Sequence, residues 1–234
     1  MVAEERLPVV IISCRVLQDM FEALVPEDLP VQMKFMDYGL HRIPNKMTQV
    51  LQAELDQIKE PSLVVLGYGL CGNGLDGIHT GHHTLLIPRT DDCIALLLGS
   101  YEAYRREFQS VPGTYYLSKG WLECGSHPLK EYEKLVDQYG EEEAGSLMDM
   151  MYKNYERICL VAHNQTDLEE YRSQAREVAR FCERWDFRYE EILGSDAYIS
   201  QLFAIATALS KADGNFVVVG PGSEVTQSLF IRLC

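Results

Sequence analysis

Three cysteines stand where a sulfur could do chemistry. Cys14 closes the apolar run of residues 7–14, Cys71 follows the run 63–66, and Cys93 follows the run 84–88. Short runs rich in Val, Ile and Leu predict buried strands of a parallel sheet. Open parallel sheets bind ligands just beyond the carboxyl ends of their strands. Three thiols at three such ends are expected to converge. Together they suit zinc with an open fourth position, or a four-iron cluster with one unligated iron. Packing is the competing reading, because free cysteine is often interior. Position weighs against it here, since all three lie at strand ends or in loops. Cys159 and Cys182, within a strand pattern and on the inward stripe of a helix pattern, read as packing residues. Cys124 is in a loop and Cys234 is terminal.

The surroundings of the three cysteines add candidates. Residues 67–72 read GYGLCG, a GxGxxG string after a strand, which in a dinucleotide site would be followed directly by a helix. The residues that follow are too rich in glycine for a good helix, so Gly69, Gly72 and Gly74 are read as letting a loop close on a bound group. A helix expected over 94–108 would set Cys93 at its amino end, where a thiolate is favoured. Arg89 and Asp92 flank that cysteine, as an anion clamp and a supporting carboxylate; a salt-bridged loop is the plainer reading. His163, just past the strand pattern 157–162, is a third acid–base candidate. Among His79, His82 and His83, the first two read as surface. Tyr115, Tyr116 and Trp121 could floor a pocket for a flat ligand, with aromatic core as the competing reading. Gly222 and Ser223 lie in a loop before an expected helix at 224–233, which would make an anion site.

The rest of the chain must position these groups. Apolar residues make up 47% of the 234 positions, enough for a sizeable core. The net charge of −14 argues against nucleic acid and against an anionic membrane surface as partners. No run of 18 apolar residues offers a membrane span, and the acidic start of the chain does not read as a signal peptide. Seven cysteines in a chain that is not exported are expected to be free thiols or ligands. The reading is a cytoplasmic protein.

Strand and helix patterns alternate along the chain, with prolines between them. Strands are expected at 7–14, 31–37, 63–66, 84–88, 157–162, 188–192 and 215–219, with a short aromatic one after Pro112. Helical spacing covers 15–24, 45–59, 94–108, 167–185 and 196–210. Alternation of this kind predicts parallel sheets with right-handed crossovers. A pair of helices at 129–139 and 141–153 interrupts it. The fold expected is three-layer α/β: two similar lobes, each with a mostly parallel sheet, and a helical excursion mid-chain. The lobes are read as 1–125, carrying the Cys and Gly loops, and 126–234.

The segments IISC, GYGLCGNGL, IPRTDDCIALLLGS and PGTYYLSKGW together resemble the bacterial and archaeal family known as domain of unknown function 1638. The resemblance covers nearly the whole chain. It implies cysteines as a family feature at Cys14, Cys71 and Cys93, whereas the histidine frequent in the family at Thr90 or Asp91 is absent here. It also implies an anaerobic, corrinoid-linked setting in one-carbon metabolism. The function expected is therefore a three-cysteine metal or iron–sulfur site, holding zinc or a [4Fe–4S] cluster, that binds and activates a small-molecule substrate. As an enzyme it would be a transferase or lyase. The setting further implies a corrinoid as cofactor, and a corrinoid protein or methyltransferase as partner. A non-catalytic accessory protein serving such a partner is the first alternative, and a dinucleotide-binding enzyme the second.

Overall fold

The structure, a computed structural model, describes residues 7–232. The chain divides into two units, residues 1–95 with 197–234, and residues 96–196.

In the first unit, β1 (Val9–Cys14), β2 (Val31–Met36), β3 (Leu63–Gly67) and β4 (Thr84–Pro88) form a parallel sheet. The strand β8 (Phe216–Val219) adds antiparallel to β4, giving the order β2-β1-β3-β4-β8. β3 is buried along its whole length, as a central strand covered on both faces must be. Period-two alternation sorts its neighbours into two faces. Ile12, Val64, Leu66, Leu85 and Ile87 pack with Met47, Leu51 and Leu55 of α2 (Pro44–Gln57). On the opposite face, where Ser13 and Gly67 meet Phe21, lies α1 (Gln18–Leu24). Phe21 in turn meets Phe203 of α9 (Ala197–Thr207) with ring centroids 5.7 Å apart. This makes three layers. Pro44 opens α2, where its missing N–H costs nothing.

The second unit carries its own parallel sheet, β5 (Thr114–Leu117), β6 (Arg157–Ala162) and β7 (Arg188–Leu193), with β6 central and fully buried. Its core joins Ile158 and Leu160 to Leu168, Ala175, Val178 and Cys182 of α8 (Gln165–Cys182) and to Met148 and Tyr152 of α7 (Glu141–Tyr152). The remaining helices are α4 (Tyr101–Ser110), α5 (Lys119–Glu123) and α6 (Pro128–Tyr139). A five-residue helix, α3 (Ile94–Leu98), leads from the first unit into the second.

Three features differ from the sequence expectation. The chain leaves the first unit after Ala95 and returns at Ala197, because the strand read into the second lobe completes the first sheet as β8. The helix expected over 94–108 is broken between α3 and α4, where Gly99 takes φ +86° and Ser100 caps α4 by accepting the Ala103 N–H at 3.0 Å. In place of a terminal helix there is a single 3-10 turn, Gln227–Phe230.

Candidate functional site

The carboxyl ends of β1, β3 and β4 deliver Cys14, Cys71 and Cys93, all buried and all in the first unit. Cys14 is the last residue of β1 and points to the α2 side, in one packed cluster with Tyr68, Leu70 and Cys71. Beyond β3 and β4 the two loops are zipped together. The Leu70 N–H donates to the Thr90 carbonyl at 2.8 Å and the Cys71 N–H to the Asp91 carbonyl at 2.7 Å. Gly69 makes this approach possible: a Cβ there would stand 2.7 Å from the Asp92 backbone. The zipper holds Cys71 at φ +49°, a left-handed backbone that residues with a Cβ rarely adopt.

Cys14 and Cys71 share one packed cluster, and both act on the titration of Cys93. Burial pushes the Cys71 thiol up, and the charges of Asp92 and Cys14 push it further; backbone amides of Gly69 and Cys93 pull the other way. Cys93 is raised well above its ordinary value, by burial first and then by Cys14, Cys71 and Asp92. The amino end of a five-residue helix does not reverse this, so the expected lowering at Cys93 is corrected: desolvation wins. Every charge among the dominant influences on Cys71 and Cys93 is negative. Cys71 and Cys93 are therefore held as neutral thiols by their surroundings. Among the described residues, no group of three or more His, Cys, Asp or Glu stands ready to hold a metal ion. The thiols are gathered, but they are not closed into an ion cage.

Tyr68 belongs to this cluster, and sequence reasoning passed over it. Its side chain is 2% exposed, its hydroxyl has no hydrogen-bond partner, and its own titration is pushed up by burial and by all three cysteines. The only signal was its place inside GYG at a strand end. On the neighbouring loop, the Thr90 hydroxyl is likewise buried without a partner.

The other candidates have local duties. Asp92 Oδ1 accepts the Ile94 N–H at 2.9 Å and so starts α3 just after Cys93. Arg89 donates to the Ile231 carbonyl, and its own carbonyl accepts from Arg232 at 2.7 Å, tying down the last described residues. His163 lies in the second unit, where it contacts Asn164, the cap of α8, at 2.9 Å. Tyr115 packs its ring against Tyr152 and Tyr155 in that unit, and Trp121 lies on α5. Tyr116 lies on β5 beside Tyr115.

The glycine loop packs closely on its own neighbours. Turns follow GxGxxG, not a helix, so the amino end that a dinucleotide needs is missing among the described residues. A Cβ at Gly74 would collide with Met47, and Gly72 takes φ +65° over Pro44. The expected anion loop is also spoken for. Ser223 donates its N–H to Thr80 Oγ1 at 2.9 Å and Gly222 donates to the Gly81 carbonyl at 2.7 Å. His83, buried beside the end of α2, is held below its ordinary value by burial.

A cavity of about 1440 Å³ opens at the amino ends of the first sheet, among Val9, Val31, Leu63 and residues 206–210. Its polar lining includes the Lys34–Glu54 pair, Lys59, Glu60, two glutamines and the hydroxyls of Ser62, Thr207 and Ser210. Volume and chemistry thus lie at opposite sheet edges, and the thiol edge is the candidate because it gathers reactive groups.

The model of the family described as "Protein of unknown function (DUF1638)" matches residues 35–203, well over half of the chain. No curated protein and no solved structure matches. Among the described residues, no helix is long and apolar enough to cross a membrane.

Proposed function

This chain belongs to the DUF1638 family, and we propose that it uses Cys14, Cys71 and Cys93 to hold a soft metal centre that binds and activates a small substrate. One observation carries the reading: three cysteines are buried at the carboxyl ends of neighbouring strands, and Cys14 and Asp92 both act against ionisation of Cys71 and Cys93. Such a group becomes anionic only when a cation arrives to compensate it, and thiolate is a preferred ligand of zinc and of iron–sulfur clusters. The donor set fits such a centre in kind. Loading must draw the sulfurs in, since no ion cage stands ready among the described residues.

When bound, a three-thiolate centre supplies an open position with Lewis-acid or electron-transfer chemistry. The chain's own residues do the rest. The zipper from Leu70–Thr90 and Cys71–Asp91 fixes two of the three ligand loops. Asp92 sets the turn that presents Cys93. Apolar neighbours such as Leu70 and Leu75 keep water from the pocket. A setting in methyl-group metabolism, implied by the family resemblance, is compatible with either centre.

Anaerobic purification with metal analysis and a visible spectrum tests the reading. Metal or cluster in the native protein, lost in both Cys71→Ser and Cys93→Ser while the fold persists, is the expected result. A folded native protein that carries no metal and takes up neither zinc nor iron with sulfide would sink it.

A further inference from the structure

Among the described residues, three helices of the second unit begin at a side-chain cap, and the caps are not alike. Ser100 accepts the Ala103 N–H at 3.0 Å to start α4, and Asn164 accepts the Asp167 N–H at 2.8 Å to start α8. Neither group changes its protonation near neutral pH. At α6 the cap is His127, whose Nδ1 accepts the Lys130 N–H at 3.5 Å. Pro128 at the first helical position brings no N–H of its own, so the Lys130 bond carries much of the capping. His127 is 3% exposed, and the helix that follows it is docked on the core. Tyr132 stands 5.3 Å from Phe181 of α8, ring centroid to centroid, and Glu131 accepts from the Tyr152 hydroxyl of α7 at 2.7 Å.

We infer that His127 is a pH latch on α6: its neutral imidazole closes the amino end of the helix, and protonation in mild acid frees the first turns of α6 from the core of the second unit. The neutral ring offers the Lys130 N–H a lone pair at Nδ1, whereas the imidazolium has only donors. N–H would then face N–H, with a positive charge at the positive end of the helix dipole. Burial holds the His127 titration below its ordinary value of 6.5, and Lys130 and Lys134 on its own helix push the same way. Glu133, also on α6, and Glu177 of α8 pull it up. Glu133 is already engaged by the Lys130 ammonium at 2.7 Å, and Glu131 by the Tyr152 hydroxyl. A folded value below the unfolded one means that the latch contributes fully above pH 6.5. Its contribution is lost as the pH falls from there through the folded value. Serine or asparagine would cap the same helix throughout this range; histidine makes the cap conditional. Nothing in the latch depends on a metal centre.

Hydrogen exchange of the full chain, followed by mass spectrometry near pH 7.5 and near pH 5 and corrected for the intrinsic rate at each pH, tests the latch. The peptide covering Pro128–Tyr139 is expected to lose about fivefold in protection in acid, the usual worth of one amino-terminal cap, while α7 and α8 keep theirs. His127→Asn caps without titrating, so it should hold the protection of α6 constant across the same change of pH. His127→Ala has no cap to lose and should exchange like the acid form at both pH values. Parallel losses in the native protein and His127→Asn would overturn the latch, because carboxylates would then be the cause. A native α6 equally protected at both pH values would overturn it too, as would a loss shared by α7 and α8. So would a His127→Ala helix as well protected as the native one near pH 7.5. Should His127→Ala fail to fold, the native protein against His127→Asn decides alone.

Discussion

Each unit buries a strongly polar group, and the two are treated in opposite ways. In the second unit, Arg157 is 3% exposed and every part of its guanidinium is engaged. It donates to Thr114 at 2.9 Å, to Glu190 at 2.6 Å and to Glu107 at 2.9 Å. In the first unit, Cys14 and Asp92 act against ionisation of both Cys71 and Cys93, and the Tyr68 hydroxyl is left unpaired. A polar group that serves the fold arrives with its partners. The Tyr68 hydroxyl, buried at a sheet end, has no such partner.

The largest expected effect is alkaline melting of the second unit. Burial raises Cys159 and Cys182 from 9.0 to about 12. Folded values above the unfolded one mean that the protonated thiols stabilise the fold fully below pH 9. That contribution disappears as the pH rises from 9 through about 12. Both tryptophans, Trp121 and Trp185, lie in this unit, so their fluorescence reports it alone. The urea midpoint read from fluorescence should fall steadily across that window, and a flat profile would contradict the burial of these thiols.

Next in size is the buried ion cluster. Arg157→Met leaves Glu107 and Glu190 without their cation, and removing one partner of a buried pair costs about 3–5 kcal/mol. The lower end is expected, because the Glu107 and Glu190 side chains are 29% and 41% exposed and regain water. Urea unfolding followed by fluorescence measures it. Metal content per chain should not change.

A pair of glycine substitutions sharpens the contrast. At Gly69 the new Cβ meets Asp92 backbone at 2.7 Å, and backbone cannot swing aside. Gly69→Ala should therefore cost about 1–3 kcal/mol and part the Cys71 and Cys93 loops, lowering bound metal. Gly145 lies inside α7, where a Cβ would meet only the tip of Arg184 at 3.8 Å. Gly145→Ala should stabilise by about 0.5–1 kcal/mol, through helix propensity alone, with metal unchanged. Calorimetry and metal analysis on both variants decide it; a metal loss at Gly145 or none at Gly69 would break the comparison.

How far the sequence reaches depends on the range of the forces involved. Thr84–Pro88 and Arg157–Ala162 coincide with their apolar runs, because a buried strand is written locally in its own residues. The three cysteines were legible for the same reason, as each follows such a run. The pairing of β8 with β4 was not, since Leu85 meets Val219, 134 positions further on, and such a distant pairing leaves no local mark. Gly99 gave a signal that periodicity overrode: apolar spacing runs through it, but its left-handed backbone stops α3. The raised thiols were illegible because desolvation comes from neighbours supplied by other strands, whereas the helix end that would lower Cys93 can be read from sequence. Tyr68 was missed because a tyrosine at a strand end usually packs, and only the fold reveals that its hydroxyl has no partner.

The smallest expected effect asks whether burial alone makes a cysteine matter. Cys182 is as deeply buried as any thiol here, at 0% exposure on the inner stripe of α8 against Val178 and Ala179. Its titration is raised by burial and by nothing else. No second thiol presses on it, in contrast to Cys71 and Cys93. Cys182→Ala removes one sulfur from a packed core and so should cost about 1 kcal/mol. The fluorescence-detected urea midpoint should move by that amount, while metal per chain and its spectrum stay at native values. The same burial at Cys71 is accompanied by a left-handed backbone, a clamped loop and two neighbouring thiols. If Cys182→Ala depleted the metal as Cys71→Ser is expected to, depth of burial and not convergence would be the property that counts, and the thiol edge would lose its claim to be the working end of the sheet.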